Sequence, residues 1–296
     1  MKVLVTGKNG QVGSALIENA PRNIELFPFD HQELDITSKD ILKQKINQIK
    51  PDYIINTAAY TNVDKAEEEP DEAYKTNVIG PGYLSEHAKS VSAKLIHLST
   101  DFVFDGSKTS PYSPHDAVCP LSVYGKSKAE GESLVRKNYP AKSVILRTSW
   151  VYSVTGKNFV KTILNLISQK NELRIVSDQI GCPTWSKNIA LTIWQMVFKN
   201  IDAGIYHWSD NEPTSWYDFA VAIYKEANAI NLVEKEIVII PIPTSDFPTL
   251  ARRPPYSVLD ISQTKKLLDV ESEHWRSALR KMLIEYQKLI ETSLIR

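Results

Sequence analysis

The strongest constraint on the fold is the stretch TGKNGQVG, residues 6–13, which directly follows the apolar run KVLVT. Its glycines, Gly7, Gly10 and Gly13, have the spacing G-x-x-G-x-x-G. Such glycines permit a tight turn out of a strand, close approach of a diphosphate, and close packing of the next helix on a sheet. Unpaired N–H groups at the helix N-terminus then favour an anion. The pattern predicts a dinucleotide site, with a purely structural turn as the alternative.

Short apolar runs alternate with helical patterns through the first half of the chain. Near-continuous apolar strands indicate a parallel sheet covered on both faces, and right-handed crossovers favour a doubly wound α/β fold of the Rossmann type. Helix starts are predicted at Thr37, with Asp40 three residues later, and at Ser122. The strand candidates are residues 2–6, 24–29, 53–58, 94–99 and 143–148.

After about residue 150 the alternation gives way to helical patterns joined by proline-containing loops. We therefore predict a dinucleotide-binding domain over residues 1–150. Residues 151–296 are expected to form a smaller mixed substrate lobe, with room for the chain to cross back between the two. The helix candidates are residues 156–170, 186–199, 215–229 and 273–291.

Composition excludes several classes of function. With 35 basic and 35 acidic residues, the net charge is zero and offers no electrostatic case for nucleic acid or an anionic membrane. Two cysteines indicate a reducing compartment, and the six histidines lack metal-ligand spacing. The start of the chain has no leader pattern, and no apolar run approaches the roughly 18 residues of a spanning helix, so we expect a cytoplasmic protein.

Two further positions suggest chemistry. In SVYGKSK, Tyr124 and Lys128 are four residues apart and share one helix face, although a surface coincidence would look the same. Asp30 lies about 20 residues beyond the glycines, where a carboxylate can accept hydrogen bonds from an adenosine ribose. A solvated turn aspartate is the alternative. Asp35 and Ile36 follow, and are placed to flank an adenine ring.

Seven motifs together resemble one family. The chain is similar to dTDP-4-dehydrorhamnose reductases, a branch of the extended short-chain dehydrogenases, over nearly its whole length. The third, fourth and last motifs are more specific than the shared glycine turn. The motifs are TGKNGQVG, NTAAYTNVDKAEEEP, STDFVFDG, YGKSKAEGE, LRTSWVY, DQIGCPTW and ARRPPYSVLD.

The resemblance implies catalytic roles for three residues. Tyr124 would give its proton to the substrate carbonyl oxygen, while Lys128 would hold the cofactor ribose and stabilise the phenolate. Thr100 would hydrogen-bond the carbonyl. The cofactor would be NADPH or NADH, because Asp30 repels a 2′-phosphate whereas Lys8 and His31 offset it. The expected cofactor set is Gly7, Asn9, Gly10, Gln11, Val12, Gly13, Asp30, Asp35, Ile36, Ala58, Ala59, Tyr60, Leu98, Tyr124 and Lys128.

The same resemblance assigns a substrate set. Related 4,6-dehydratases follow the threonine with Asp-Glu, whereas this chain has Asp101 and Phe102, which favours simple ketone reduction. Arginine suits a diphosphate because its planar fork binds two oxygens at once. We expect at least one of Arg252 and Arg253 to make this contact, with a structural ion pair as the alternative for Arg253. The expected substrate set is Thr100, Asp101, Tyr124, Trp150, Asn158 and Arg252.

Some members of the family form dimers bridged by magnesium through an acidic residue two positions past the third glycine. This chain has Ala15 there, so we predict no metal, while a homodimer stays open. The expected reaction is reduction of dTDP-4-dehydro-L-rhamnose to dTDP-L-rhamnose for polysaccharide synthesis. The alternatives are another nucleotide-linked ketosugar, or a non-catalytic subunit resembling the regulatory β subunit of methionine adenosyltransferase.

Overall fold

The computed structural model describes residues 1–294, and its strands and helices alternate along the first half of the chain. The strands are β1 (Lys2–Thr6), β2 (Glu25–Phe29), β3 (Tyr53–Asn56), β4 (Lys94–Thr100), β5 (Ser143–Thr148), β6 (Val151–Tyr152), β7 (Glu172–Val176), β8 (Ile180–Gly181), β9 (Thr184–Trp185), β10 (Gly204–His207), β11 (Thr214–Ser215) and β12 (Val238–Ile242). The α-helices are α1 (Gln11–Glu18), α2 (Lys39–Ile49), α3 (Lys65–Glu68), α4 (Pro70–Tyr74), α5 (Gly80–Ser90), α6 (Val123–Asn138), α7 (Phe159–Gln169), α8 (Ser186–Phe198), α9 (Trp216–Ala229), α10 (Ser262–Leu268) and α11 (Trp275–Leu294).

A six-stranded parallel sheet forms the centre of the protein, in the order β10-β5-β4-β3-β1-β2. The chain runs outward from β1 to β2 and then returns to place β3 on the other side of β1. The strand order reverses there, and the crevice outside the carboxyl ends of the strands at such a point is where ligands bind in open α/β sheets. The predicted doubly wound parallel sheet is confirmed.

Helices cover both faces of this sheet. One face packs against α1 and α8 through residues such as Val5, Leu16 and Ile193. The other packs against α2, α5 and α6, with Leu4 and Leu84 in its core. Both faces exclude water, which is why the strands are nearly continuously apolar.

A second lobe contains α7, α9 and α11 around a core that includes Tyr152, Phe219 and Met282. Three two-stranded sheets accompany it: β7 with β12, β6 with β9, and β8 with β11. Between these elements the chain returns to the central sheet as β10, beside β5. The division into lobes at residue 150 stays a prediction.

Of the two helix starts predicted from the sequence, one is confirmed and one is wrong. Ser122 caps α6 as predicted, because its Oγ accepts the Gly125 N–H at 3.1 Å. The predicted cap at Thr37 is wrong, since α2 begins after Ser38. The Thr37 hydroxyl and N–H both donate to Asp35 Oδ1 at 2.8 Å, a turn interaction that competes with capping. Within residues 1–294, no helix is both long and apolar enough to cross a bilayer.

Candidate active site

A cleft of about 980 Å³ opens at the carboxyl ends of β1, β3, β4 and β5. It gathers most of the residues that the sequence singled out, although they are spread over nearly 150 positions. Gly13, Asp30, Asn158 and Arg252 are not among its lining residues. The predicted residues that line it are Gly7, Asn9, Gly10, Gln11, Val12, Asp35, Ile36, Ala58, Ala59, Tyr60, Leu98, Thr100, Asp101, Tyr124, Lys128 and Trp150.

The glycine turn has no room for side chains at two of its three positions. Gly7 has φ +76°, and a Cβ there would lie 2.8 Å from the Ala58 nitrogen. A Cβ on Gly13 would lie 2.1 Å from the Gly7 carbonyl oxygen. Gly13 therefore lets α1 pack closely against the turn. It does not line the cleft and affects the site only through the position of this helix.

The first turn of α1 is open toward the cleft. Its N-cap residue, Gly10, offers no side chain to satisfy the first N–H groups of the helix. Free donors at a helix N-terminus bind phosphate oxygens. These residues fit the diphosphate of a dinucleotide.

A partly exposed cluster of charges lies beside the cleft, on the glycine turn and the turn after β2. Asp30 Oδ1 accepts the N–H groups of Gln32 and Glu33 at 3.0 Å, and Asn9 donates to Asp30 Oδ2 at 3.2 Å. Lys8 Nζ lies 2.6 Å from Glu33 Oε2 and 3.5 Å from Asp30 Oδ2. The ion pair with Glu33 raises the pKa of Lys8, and the pKa values of both carboxyls are lowered. Asp30 thus orders the turn that follows β2.

Tyr124 lies at the buried end of the cleft, in the first turn of α6. Burial raises the pKa of its phenol to about 12, a rise opposed by a hydrogen bond with Thr100 and reinforced by the Asp101 charge. The ring packs edge-on against Phe102, 5.8 Å between centroids. A tyrosine in this setting stays protonated through the neutral range and holds a proton beside Thr100.

Two other ionisable groups share this buried end. Burial raises the pKa of Asp101 to about 6, although hydrogen bonds from Ser257 and Thr100 oppose the rise. Burial lowers the pKa of Lys128 to about 8, with Glu132 acting in the opposite sense. Lys128 Nζ donates to the Leu98 carbonyl oxygen at 2.7 Å rather than to Tyr124. Its ammonium is therefore held at the floor of the cleft beside β4.

Aromatic rings form the wall of the cleft on the second lobe. Trp150 has φ +44°, a strained conformation for a residue with a side chain. Its ring stacks on Trp216 with centroids 3.5 Å apart, and Phe159 packs against Trp216 at 4.6 Å. A Cβ on Gly181 would lie 2.4 Å from the Trp150 ring, so only glycine leaves it space.

Two expected phosphate contacts lie elsewhere. Asn158 caps α7, with Oδ1 accepting the Lys161 N–H at 3.1 Å and Nδ2 donating to the Ser153 carbonyl at 2.8 Å. In place of Arg252, its neighbour Arg253 reaches the cleft. Arg253 pairs with Asp64 through contacts of 2.7 and 3.2 Å, so the structural ion pair and the cleft position coincide in one residue.

Comparison with known proteins decides the family. Residues 1–288 match the family described as RmlD substrate binding domain. A dTDP-4-dehydrorhamnose reductase of Aggregatibacter actinomycetemcomitans is 44% identical over 286 residues, which cover 94% of this chain and 97% of that protein. The chain belongs to the dTDP-4-dehydrorhamnose reductase family.

The resemblance drawn from the seven motifs is thereby confirmed. The spore coat polysaccharide biosynthesis protein SpsK of Bacillus subtilis is 39% identical to this chain over 285 residues, which cover 96% of this chain and 97% of that protein. A dTDP-4-dehydrorhamnose reductase of Bacillus anthracis, solved in complex with NADP, is 36% identical and has a TM-score of 0.91, covering 96% of this chain and 99% of that one.

The sequence motifs missed two features of this reductase's site. Trp216 completes the aromatic wall, but it stands in TSWYD, where its only signal is an aromatic residue just inside a capped helix. Asn77 lies in a π-helical turn, residues 75–79. Its amide accepts the Tyr60 N–H at 2.9 Å and donates to Ser127 Oγ at 3.0 Å, which links the loop after β3 to α6. No motif used above predicts that turn.

Proposed function

We propose that the protein reduces the 4-keto group of dTDP-4-dehydro-L-rhamnose to give dTDP-L-rhamnose, with NADPH or NADH as reductant. The observation that carries the proposal is the meeting of Thr100, Tyr124 and Lys128 in one cleft with an open glycine turn. The proposed substrate is that of the relatives, which are dTDP-4-dehydrorhamnose reductases. Reductase motifs without a second acid at Phe102 support ketone reduction rather than dehydration.

The glycine turn, α1 and the strand ends would hold the cofactor. Gly7, Gly10 and the N–H groups of α1 face the diphosphate, and Lys128 faces the nicotinamide-side ribose. A reduced nicotinamide supplies hydride to the carbonyl carbon.

Proton supply falls to Tyr124. The carbonyl oxygen accepts hydrogen bonds from Thr100 and from the phenol, and it takes the phenolic proton as the carbon is reduced. The phenolate is then stabilised by the positive charge of Lys128, one helical turn away on the same face. Because the pKa of Tyr124 is about 12, the proton is present whenever substrate arrives.

Substrate recognition falls to the opposite wall. The stacked rings of Trp150 and Trp216 offer an apolar surface for the sugar or base, and Asp101 can accept sugar hydroxyls. Arg253 and Lys157 are cations in the cleft wall that can meet a diphosphate, and Arg253 would then share its charge between the ligand and Asp64. Asn158 and Arg252 remain predicted contacts that would need the ligand to reach them.

The test compares Tyr124→Phe with Tyr139→Phe, which removes a buried phenol outside the cleft. NADPH and NADH absorbance is followed with dTDP-4-dehydro-L-rhamnose. We expect wild type and Tyr139→Phe to consume cofactor, while Tyr124→Phe loses about 100- to 10,000-fold in kcat and keeps its cofactor affinity. Equal turnover by Tyr124→Phe would refute the assignment. If the wild type is inactive with this sugar but active with another nucleotide-linked ketosugar, the proposed substrate is wrong and that ketosugar replaces it.

A further inference from the structure

A fully buried ion pair lies beneath α6, behind the cleft floor. Glu132 and Arg147 have side chains 5% and 2% exposed. Arg147 Nε donates to Glu132 Oε1 at 2.9 Å and Nη2 donates to Oε2 at 2.6 Å, the two-pronged geometry that gives strong and directional pairs. Ser99 Oγ donates to Oε1 at 2.5 Å. The carboxylate thus holds α6 to both β4 and β5.

The surroundings leave Glu132 as the sole counter-charge of this arginine among its described hydrogen-bond partners. His207 Nδ1 lies 3.0 Å from the Tyr112 carbonyl oxygen, so Nδ1 carries the hydrogen and Nε2 can accept from Arg147 Nη1 at 3.4 Å. Burial and the Arg147 charge lower the pKa of His207 to about 3, which keeps it neutral. Phe104 presents its ring face to the guanidinium at 5.1 Å.

Glu132, Arg147 and Ser99 together form a clamp between α6 and the sheet, and this clamp lies one residue along the strands from Thr100 and Thr148. Ser99 and Arg147 are register partners in the sheet, and the next pair is Thr100 with Thr148, which lines the cleft. On α6, Glu132 follows Lys128 by one helical turn on the buried face. Lys128 binds the Leu98 carbonyl and Glu132 binds Ser99, so consecutive residues of β4 anchor consecutive turns of α6.

Stability alone does not account for such a pair. Removing two charges from water is costly, and well-packed apolar residues in their place are often as stable or more so. The pair's position beside Lys128 suggests a role in the site. We infer that Glu132 is a positioning residue, which fixes Tyr124, Lys128 and Thr100 relative to one another and, one helical turn from Lys128, adds a negative charge near the buried ammonium.

Few charges compete for that role. On α6, the phenol of Tyr124 is neutral, and on β4 His97 is buried with its pKa held well below the usual value by burial and by Lys128 itself. Asp101, after β4, acts on Tyr124. Glu132 is the charge that raises the pKa of Lys128 against burial, and Arg147 on β5 lies paired with it.

The test is the pH dependence of NADPH affinity, measured by quenching of tryptophan fluorescence, together with kcat. In the wild type, affinity should fall above about pH 8, where Lys128 loses its proton. Glu132→Gln keeps the shape but removes the charge, and should move this limb to lower pH by about one unit. It should also lower kcat roughly tenfold by loosening the clamp.

Because Glu132→Gln leaves a buried arginine unpaired, the double variant Glu132→Gln/Arg147→Met is made beside it and is used if the single variant does not fold. Its limb should move in the same direction but by less, because the loss of the Arg147 positive charge partly offsets the loss of the Glu132 negative charge. The matched control is Glu226→Gln, which removes a 4% exposed carboxylate paired with Arg276 and Arg280 in the second lobe. It should lose stability while its limb stays in place.

An unshifted limb in a folded Glu132 variant would overturn the inference, as would an equal shift in Glu226→Gln. The inference rests on the proposed function for the roles of Tyr124 and Lys128. The two fail separately, because NADPH affinity is measured without sugar. A chain inactive on dTDP-4-dehydro-L-rhamnose whose NADPH limb shifts as expected would refute the substrate and support the positioning role.

Discussion

Two charged regions in and beside the cleft differ in their access to water. At the buried end, around and beneath Tyr124, the residues Lys128, Asp101 and Glu132 are each no more than 5% exposed, whereas at the exposed end, on the glycine turn and the turn after β2, the side chains of Lys8, Asp30 and Glu33 are 21% to 47% exposed. Burial moves the pKa values of Asp101 and Lys128 to about 6 and about 8. The exposed charges are only reinforced in their ordinary states.

The difference shows what desolvation contributes. Where water is excluded, each charge needs a fixed partner, and small changes decide whether it is ionised near neutral pH. Where water is present, ion pairs add little to stability and act mainly on the field that a ligand meets. Substitutions at the buried end should therefore change chemistry and folding, while those at the exposed end should change only the preference between NADPH and NADH.

The largest effect is expected from Lys128→Met, which keeps the length of the side chain but removes its charge. Neither the ribose nor the phenolate of Tyr124 would then have a cation, so kcat/KM should fall by roughly 1,000-fold. Steady-state kinetics measure the loss. Lys126→Met, on the exposed side of the same helix, is the control and should be near wild type. A loss below tenfold would contradict the role of Lys128.

A medium effect, on folding, is expected from Asp101→Asn. The folded-state pKa of Asp101 is raised from 3.8 to about 6, so its ionised form destabilises the protein above that pH, and this cost fades as the pH falls toward 4. The variant lacks the cost. Its free energy of unfolding should exceed that of wild type by about 1 to 3 kcal/mol at pH 8.

Urea unfolding at pH 8 and near pH 4 measures this difference, which should narrow at the lower pH. A gap that is constant across that range would show that Asp101 does not titrate as described. The same variant should have a higher KM for the sugar nucleotide, because an amide replaces a carboxylate that accepts hydroxyl hydrogen bonds.

The smallest effect is expected from Glu33→Ala at the exposed end. Freed from its 2.6 Å contact with Glu33, Lys8 would be available to a 2′-phosphate, and a repelling carboxylate would be gone. The ratio of NADPH to NADH specificity should rise about threefold, with little change in stability. Parallel kcat/KM measurements with both cofactors, at low and high salt, test this. A ratio that falls would contradict the field argument.

Much of this picture could be read from the sequence because parallel strands deliver their motifs to one edge. Gly7 follows β1 directly and Thr100 ends β4, so the sheet brings these two to one edge, while Tyr124 was found through its spacing to Lys128 on the helix that Ser122 caps. β10 was missed because GIYH is short and has one β-branched residue. It joins the sheet through tertiary pairing with β5, which local pattern does not encode.

Side-chain partners were harder to predict than positions. Asn158 was expected to meet phosphate, yet its amide is used in capping α7, and the choice between Arg252 and Arg253 depends on how one loop turns. The pairing of Glu132 with Arg147 joins residues 15 apart on different elements. Sequence spacing shows Glu132 on the Lys128 face, but only packing shows that the arginine lies there too.

The most direct test of ketone reduction with Tyr124 as proton donor follows the hydrogen that passes from the nicotinamide to the sugar. The protein is incubated with dTDP-4-dehydro-L-rhamnose and NADPH dideuterated at C4 of the nicotinamide, and the sugar nucleotide is examined by mass spectrometry. We expect a dTDP-deoxysugar carrying one deuterium at its new carbinol carbon, formed by wild type and nearly absent with Tyr124→Phe. A reduced sugar without deuterium, or the same labelled yield from Tyr124→Phe, would contradict it.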